Sequence, residues 1–376
     1  MSFEFRQKPL SIRAAIIAVI LGLIVGSILI IIAGYSPVEV YGYMATGAFG
    51  NMFAITSTLR WATPLMFSGL AALIAFRGGM FNFGIEGQLY VGALASALVG
   101  IYCKSLPRVI LVPVCMTAAM IAGLAWSVLP AFVRVKLKGN EAVPALMLNY
   151  VAKNLCDLLV KLYFLPSNTF GQTMATDTLE AHALLSKLVP PYQVTTAILL
   201  AIILIVLVFL GFKETRIGYE VSISGINPSF AQYGGININH VRIGVMLISG
   251  AIAGLCGATE VMGITRRYES GFSPDFGTEG ILASLLGGNQ PFGMMIGAIF
   301  MGAIKAGSLT VERSTSISRA FSEVIKAFVI CFVSANLLAD YLKLDKLKSI
   351  SNQCLRKTIR NWSFPYKSRS LRERQD

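Results

Sequence analysis

The sequence predicts an all-α, polytopic membrane protein, and three observations lead to this prediction. Hydrophobic residues make up 55% of the 376-residue chain and charged residues only 14%, whereas soluble domains carry roughly a quarter charged residues. Apolar runs at 14–34 and 194–212 are long enough for membrane-spanning helices, which need about 20 residues. A polar, glycine-rich motif also occurs twice, 193 residues apart. We therefore expect a bundle of spanning helices with two specialised interruptions.

About ten apolar segments, within a range of roughly eight to ten, are expected to be membrane helices. They lie at 14–34, 62–76, 89–103, 109–133, 141–165, 192–212, 239–264, 278–289, 291–311 and 321–342. The segments 62–76 and 278–289 are too short to cross a bilayer unaided, and each adjoins one copy of the motif. Broken or re-entrant helices are predicted at both places, because such backbone is tolerated where it is buried in protein or lines a watery cavity.

Positive charge predicts the orientation of the chain in the membrane. The net charge is +13, and the tail at 343–376 holds ten Lys and Arg residues. Basic residues are enriched on the cytoplasmic side, and an even number of spans places both termini on one side. We therefore expect a single membrane domain at 1–342 with both termini cytoplasmic, a long inner loop at 213–238 and a long outer loop at 166–191.

The repeated motif predicts two related halves. Its copies align as G-x-x-x-[ND]-F-G-x-E-G, beginning at Gly78 and at Gly271. The same offset places the first predicted span on the sixth and the second on the seventh. With five helices in each half, at about 14–165 and 192–342, the halves would face opposite ways. Inverted repeats of this kind are typical of transporters, which place interrupted helices near the substrate path.

The two motif glutamates, Glu86 and Glu279, permit two interpretations. Each is expected near the start of a helix, where a carboxylate meets free N–H groups and the positive end of the helix dipole, so each could be a simple helix cap. Ionisable groups inside membranes are also typical of substrate paths and gates. The sequence leaves both interpretations open.

Other charged residues inside the predicted spans are expected to be structural. Lys153, Asp157 and Lys161 follow one another at helical spacing, which predicts ion pairs along one face. Lys305 has no evident partner in the sequence and is expected to extend towards a membrane interface.

The inner loop is predicted to contain a short surface helix. Asn227 is a good helix cap and Pro228 suits the first helical turn, so the helix would continue from Ser229 to Tyr233. A short helix between two spans is suited to docking a partner, although an ordinary amphipathic loop helix would have the same pattern.

Four segments resemble one family of transport proteins. The segments are "GGMFNFGIEGQLYVGA", "NEAVPALMLNYVA", "GINPSFAQYGGINI" and "GILASLLGGNQPFG", and they occur in order between about residues 62 and 311. Together they resemble the ABC-transporter permeases of the branched-chain amino acid, simple sugar and nucleoside superfamily. The N-x-G-x-E-G-Q and L-M-L-N-Y motifs are most similar to nucleoside permeases served by basic-membrane-protein-type lipoproteins.

The resemblance implies a permease subunit of an importer in the cytoplasmic (inner) membrane. Its expected partners are a second permease subunit, cytoplasmic ATPases that bind ATP and Mg²⁺, and an external substrate-binding lipoprotein, and the chain itself would hold no cofactor. It implies a segment that couples to the ATPase, with the candidate residues Gly218, Gly225, Asn227, Pro228, Ala231, Tyr233 and Gly235. Candidates for the translocation path or gate are Asn82, Phe83, Gly84, Glu86, Gly87, Gln88, Asn149, Phe276, Gly277 and Glu279.

Missing motifs agree with a transport subunit that is driven by another chain. The sequence contains no G-x-x-x-x-G-K-[ST] motif for ATP phosphates and no HExxH, and its two histidines are isolated. An intramembrane enzyme therefore has no readable catalytic set. An ion-coupled secondary transporter remains an alternative because Glu86, Glu260 and Glu279 could be ion ligands. Riboflavin or a simple sugar remains an alternative ligand.

Overall fold

The structure, a computed structural model, describes residues 12–32, 34–166 and 174–315 together with Val324. Within these residues the chain is helical, and its extended pairing is limited to two isolated β-bridges. The helices are α1 (Ile12–Ile32), α2 (Pro37–Phe49), α3 (Met52–Arg77), α4 (Ile85–Tyr102), α5 (Arg108–Val135), α6 (Ala142–Leu159), α7 (Ala197–Glu214), α8 (Arg216–Ile226), α9 (Pro228–Tyr233), α10 (Ile238–Glu260), α11 (Phe276–Leu286) and α12 (Pro291–Ser314). Helices α6 and α10 continue as π-helical turns, Val160–Phe164 and Val261–Thr265.

Seven helices in the described part are long and apolar enough to cross a membrane. They are α3, α4, α5, α6 and α10 with their π-helical turns, α7 and α12. The all-α membrane architecture is therefore confirmed, whereas a count of ten spans is not. The predicted span at 321–342 and the basic tail at 343–376 lie outside the described residues, Val324 excepted.

The predicted short span at 62–76 is wrong, because α3 has 26 residues and extends from Met52 to Arg77. Its polar first half stays helical because its polar side chains bind partners inside the protein. The Thr56 hydroxyl donates to the Met52 carbonyl at 2.8 Å, and the Arg60 guanidinium pairs with Glu260 at 3.0 Å. The Asn51 side chain accepts a hydrogen bond from the Ala54 N–H and begins the helix. The hydropathy pattern began the span too late because it treats these polar residues as breaks.

Helix α2, which the hydropathy pattern does not predict, packs against α12 and α3. It begins with Pro37 at its first turn, and Val40 is buried in a small cluster with Ile30 and Val311. The cluster therefore attaches the first helices of the chain to the outer side of α12.

Helices α3 and α10 form the centre of the bundle and run in opposite directions. Arg60, in the first half of α3, pairs with Glu260 at the end of α10, and a Cβ on Gly78, just after α3, would contact Val245 near the start of α10. Helix α3 packs against α11 and α12, whereas α10 packs against α4 and α5. Helix α3 thus packs mainly on the helices that follow α10 in sequence, and α10 packs mainly on the helices that follow α3.

The two copies of the motif both precede helices that begin inside the bundle. Helix α4 begins at Ile85 after a seven-residue loop at 78–84, and α11 begins at Phe276 after the non-helical segment at 266–275. The Ser68 hydroxyl, in the middle of α3, donates to the Phe276 carbonyl at 2.8 Å, which fixes the start of α11 at this depth. The prediction of a short helix near 278–289 is confirmed, since α11 has 11 residues.

Candidate translocation and coupling site

The two copies of the motif meet each other at the starts of α4 and α11. The Glu86 carboxylate, in the first turn of α4, accepts a hydrogen bond of 2.6 Å from the Gly277 N–H in the first turn of α11. A Cβ on Gly277 would lie 2.5 Å from the Glu86 backbone nitrogen, so only glycine allows this approach. Glu86 therefore caps the helix that follows the other copy of the motif.

The first copy of the motif, Gly78–Gly87, is held by a closed network of buried amide side chains. The Asn82 amide donates to the Gln88 carbonyl oxygen at 2.9 Å and to the Ser249 hydroxyl at 2.7 Å, and its own oxygen accepts from the Gly84 N–H at 3.0 Å. Ser249 in turn donates to the Ala71 carbonyl at 2.7 Å. Because Asn82 and Gln88 are almost fully buried, the network fixes the loop before α4 against α3 and α10.

Helix α6 and the residue before it, Glu141, bind the same region through two polar side chains. The Asn149 amide donates to the Phe83 carbonyl at 2.8 Å and accepts from the Gly87 N–H at 2.8 Å. The buried Glu141 carboxylate accepts from the Phe81 N–H at 3.1 Å. The segment that contains Glu141 and Asn149 therefore positions the first copy of the motif.

We expect Asn149→Leu to lower the free energy of unfolding by about 1–3 kcal/mol, because the Gly87 N–H would lose its partner. The matched control is Asn154→Leu on the same helix. Asn154 is exposed and donates only to the Tyr150 carbonyl of its own helix. It should change stability by about 0.5 kcal/mol or less. Thermal unfolding can be followed with a thiol-reactive dye, since Cys115, Cys156 and Cys256 are free and buried. Equal melting temperatures for the two variants would contradict this role of Asn149.

Two buried ion pairs lie near the start of α11. The Lys305 ammonium is 3.1 Å from the Glu279 carboxylate, and the Arg60 guanidinium is 3.0 Å from the Glu260 carboxylate. Both cations also lie over the Trp61 indole, Arg60 at 4.0 Å and Lys305 at 5.0 Å from the ring centre. Lys305 does not extend to an interface as expected, because a carboxylate and an aromatic face solvate it inside the bundle.

Asp157 does not form the predicted ion pairs. It accepts hydrogen bonds from the Tyr268 hydroxyl at 3.0 Å and the Ser270 hydroxyl at 2.6 Å, and no Lys153 or Lys161 partner occurs among the ion pairs of the described residues. The Lys153 ammonium instead lies 6.0 Å from the ring centre of Tyr90 and remains exposed. A polar contact to the segment before α11 thus replaces local pairing on α6.

The predicted short helix in the inner loop is confirmed as α9, Pro228–Tyr233. The Asn227 side chain caps it by accepting from the Phe230 N–H at 3.0 Å, and Pro228 occupies the first turn. The Tyr233 side chain is 92% exposed and Phe230 is 58% exposed, whereas Ala231 is buried. Gly235 has a φ of +79°, which reverses the chain after the helix. Helix α9 therefore presents two aromatic side chains away from the bundle.

Helix α8 connects α9 tightly to the bundle. A Cβ on Gly218 would contact the Gly211 carbonyl oxygen at the end of α7, and a Cβ on Gly225 would contact the Arg77 carbonyl oxygen at the end of α3. The Thr215 hydroxyl caps α8 by accepting from the Gly218 N–H at 3.0 Å. Through α8, the exposed helix α9 is thus attached to the C-terminal end of α3, which directly precedes the first copy of the motif.

The predicted residues of the translocation path fall into a buried group and a partly exposed group. Seven of the path candidates are buried, namely Asn82, Gly84, Gly87, Gln88, Phe276, Gly277 and Glu279, whereas Phe83, Glu86 and Asn149 are partly exposed. Asp275 and Thr278 at the start of α11, and Lys153 on α6, are exposed at the same depth and were not among the candidates. The carboxylate at the [ND] position of the second motif copy and a lysine in mid-span were the available signals for Asp275 and Lys153.

The fold and this site define a helical membrane-transport component. The chain belongs to the family described as branched-chain amino acid transport system / permease component, which matches residues 54–334. This membership confirms the family resemblance carried by the four motif segments, and it places the chain among transport components rather than enzymes.

Individual relatives span nearly the whole chain. The guanosine ABC transporter permease protein of Bacillus subtilis is 30% identical over 89% of this chain and 95% of its own length. The glucose ABC transporter permease protein of Haloferax volcanii is 31% identical over 89% of this chain and 91% of its own length. The nucleoside ABC transporter permease protein of Lactococcus lactis is 27% identical over 92% of this chain and 96% of its own length.

Proposed function

We propose that this chain is a permease subunit of an ABC importer and forms half of the path for a nucleoside or a similar small polar ligand. Relatives named for guanosine and for nucleosides support this ligand class. Its partners would be a second permease subunit, cytoplasmic ATPases that bind ATP and Mg²⁺, and an external substrate-binding lipoprotein. The chain would lie in the inner membrane with both termini cytoplasmic, as its basic tail indicates.

The ligand path would run beside the meeting point of the two motif copies. Polar groups exposed at the depth of a membrane core are costly against lipid and are typical of pathways. Asp275 and Thr278 at the start of α11 and Lys153 on α6 are exposed, and Asp275 lies close enough to the partly exposed Glu86 to interact with it electrostatically. The buried members of the motif would support this surface, and the second permease subunit would complete it.

The packing of the central helices supports two inverted halves. Helices α3 and α10 are antiparallel, and each packs on the pair of helices that follows the other. Glu86 and Gly84 align with Glu279 and Gly277, and the two aligned segments contact each other through the Glu86–Gly277 hydrogen bond. An inverted repeat about an axis in the membrane plane would bring equivalent segments together in this way.

The ion-coupled alternative has less support than the importer. The three carboxylates on which it rests each have a partner in this chain: Glu86 binds the Gly277 N–H, Glu260 binds Arg60, and Glu279 binds Lys305. The exposed aromatic pair on α9, in contrast, supports docking of a cytoplasmic partner, which an ion-coupled transporter does not require. This exposed, capped helix is the observation that carries the proposal.

The decisive test changes only exposed side chains of α9, the proposed docking helix for the ATPase. We expect Phe230→Glu/Tyr233→Glu to reduce co-purification of the ATPase by about tenfold or more, because aromatic anchors dominate such interfaces. Guanosine uptake in vesicles supplied with ATP should fall in parallel. Thermal unfolding should be unchanged, since both side chains point away from the bundle. The control is Lys187→Glu, a charge change at an exposed residue between α6 and α7.

Three outcomes would contradict the proposal. Undiminished ATPase binding by the double variant would exclude α9 as the docking site. Uptake driven by a sodium or proton gradient in vesicles without ATP would exclude the importer. Guanosine uptake that is absent, while glucose or riboflavin enters, would reassign the ligand within the same family.

A further inference from the structure

Arg77, the last residue of α3, joins three parts of the bundle. Its Nε donates to the Asn289 carbonyl oxygen at 3.1 Å, and its Nη2 donates to the Gln290 side-chain oxygen at 2.9 Å. Its guanidinium also lies 5.3 Å from the ring centre of Phe212 near the end of α7. The planar guanidinium thereby fixes the turn between α11 and α12 relative to α3 and α7.

The backbone at Arg77 is also in contact with α8. A Cβ on Gly225 would contact the Arg77 carbonyl oxygen and lie 3.1 Å from the Gly79 nitrogen, and a Cβ on Gly79 would lie 3.2 Å from the Gly225 Cα. Gly79 has a φ of +71°, a conformation that favours glycine. Because backbone packs directly on backbone here, α8 cannot approach the bundle without displacing the end of α3.

Helix α11 is held at both ends by contacts to the first half of the chain. Its first turn is capped by the Glu86 carboxylate at 2.6 Å, and the turn after its last residue is held by Arg77. That turn is itself well defined: Asn289 is buried, and its side-chain oxygen accepts from the Ser284 hydroxyl at 2.9 Å. Because α11 is short and is held at both ends, a displacement of Arg77 is expected to move it as a rigid body.

We propose that Arg77 is a positioning residue that transmits movement of α8 and α9 to the broken helix α11. Movement of the docking helix displaces Gly225, Gly225 displaces the backbone of Arg77, and the Arg77 side chain displaces the turn after α11. The start of α11 then shifts relative to Glu86, which changes the exposed surface at Asp275 and Thr278. This inference rests on the proposed function, because it assumes that α9 receives movement from an ATPase.

The experiment measures the ligand taken up per ATP hydrolysed by the intact transporter complex in proteoliposomes. Arg77→Gln removes the charge-assisted hydrogen bonds to Asn289 and Gln290, and we expect uptake per ATP to fall by about tenfold. ATP hydrolysis itself should remain within about threefold of the wild-type rate, because the Arg77 side chain contacts Asn289, Gln290 and Phe212 rather than the exposed side chains of α9. Arg77→Lys keeps the charge but loses the two-pronged geometry, so an intermediate ratio is expected.

A second pair of variants tests the backbone contact independently. Gly225→Ala should also lower uptake per ATP, because its new methyl group would press on the Arg77 carbonyl oxygen. Gly244→Ala is the matched control, since a Cβ at this helical position of α10 would meet nothing within 4 Å. Lys213→Gln controls for charge removal at the same end of the bundle, because it is exposed and pairs with its neighbour Glu214.

The results distinguish a failure of the proposed function from a failure of the role of Arg77. A wild-type complex without ATP-dependent uptake would contradict the proposed function. A coupled wild-type complex whose Arg77→Gln and Gly225→Ala variants keep the wild-type ratio would overturn the role of Arg77 alone. If Arg77→Gln does not assemble, Gly225→Ala and Gln290→Ala decide, since Gln290 is exposed and its loss removes only the side-chain acceptor.

Discussion

Lys305→Met is expected to lower the free energy of unfolding by about 3–5 kcal/mol, because it leaves the Glu279 carboxylate buried without its ammonium partner. The two side chains are only 5% and 8% exposed, and their closest atoms are 3.1 Å apart. Glu279→Gln should be destabilising for the same reason, since the buried Lys305 ammonium would then lose the carboxylate to which it donates at 3.1 Å. Thermal unfolding of the purified chain, followed through its buried cysteines, measures both effects.

A double variant distinguishes an ion pair from simple packing. Lys305→Met/Glu279→Leu removes both charges at once, and replacing a buried pair by apolar side chains is often nearly neutral. We therefore expect the double variant to be more stable than either single variant. Lys213→Met is the control, because Lys213 and Glu214 form an exposed pair that contributes about 1 kcal/mol or less. A double variant less stable than both single variants would show that the pair is not the source of the effect.

Local chemistry made helix α9 predictable from the sequence. An Asn followed by Pro starts a helix by satisfying its first N–H groups, and the structure begins α9 at those residues, with the Asn227 oxygen on the Phe230 N–H. The interaction depends only on residues three apart in sequence. Sequence reasoning therefore identified both the helix and its boundaries without knowledge of the fold.

Long-range pairings account for what the sequence did not predict. Lys305 and Glu279 are 26 residues apart, and Glu86 and Gly277 are 191 residues apart. No helical spacing links such residues, so Lys305 was expected at an interface, and Glu86 was expected either to cap its own helix or to line the path. The repeat did predict that the two copies are equivalent, but it could not show that they contact each other.

The length of α3 was missed for a related reason. Hydropathy scores a side chain as though it faced lipid, and Thr56, Thr58 and Arg60 lowered the score of the first half of the helix. In the bundle these side chains bind carbonyl oxygens or a carboxylate, so their polarity does not oppose a spanning helix. Burial of a helix inside a bundle cannot be read from its own composition.

Replacing Glu86 is expected to show whether this residue is a helix cap or a ligand contact. Its carboxylate accepts a short hydrogen bond from the Gly277 N–H at the positive end of α11, and the Ser273 side chain also hydrogen-bonds to it. A charged cap of this kind contributes about 1.5–3 kcal/mol. Glu86→Leu should therefore lose about this much stability, and Glu86→Gln, which keeps an acceptor oxygen, should lose less.

Uptake kinetics of the same variants complete the test. If Glu86 acts by capping α11, Glu86→Gln should lower the maximal rate of ATP-dependent uptake while the ligand concentration at half-maximal rate stays the same, because the ligand would not touch the carboxylate. Thr278→Val provides a comparison at an exposed residue in the first turn of α11, the helix that Glu86 caps, where a hydroxyl facing the path would contact ligand directly. A Glu86→Gln variant with wild-type stability and an altered half-maximal concentration would assign Glu86 to the ligand path, because only a direct contact changes binding without changing the fold.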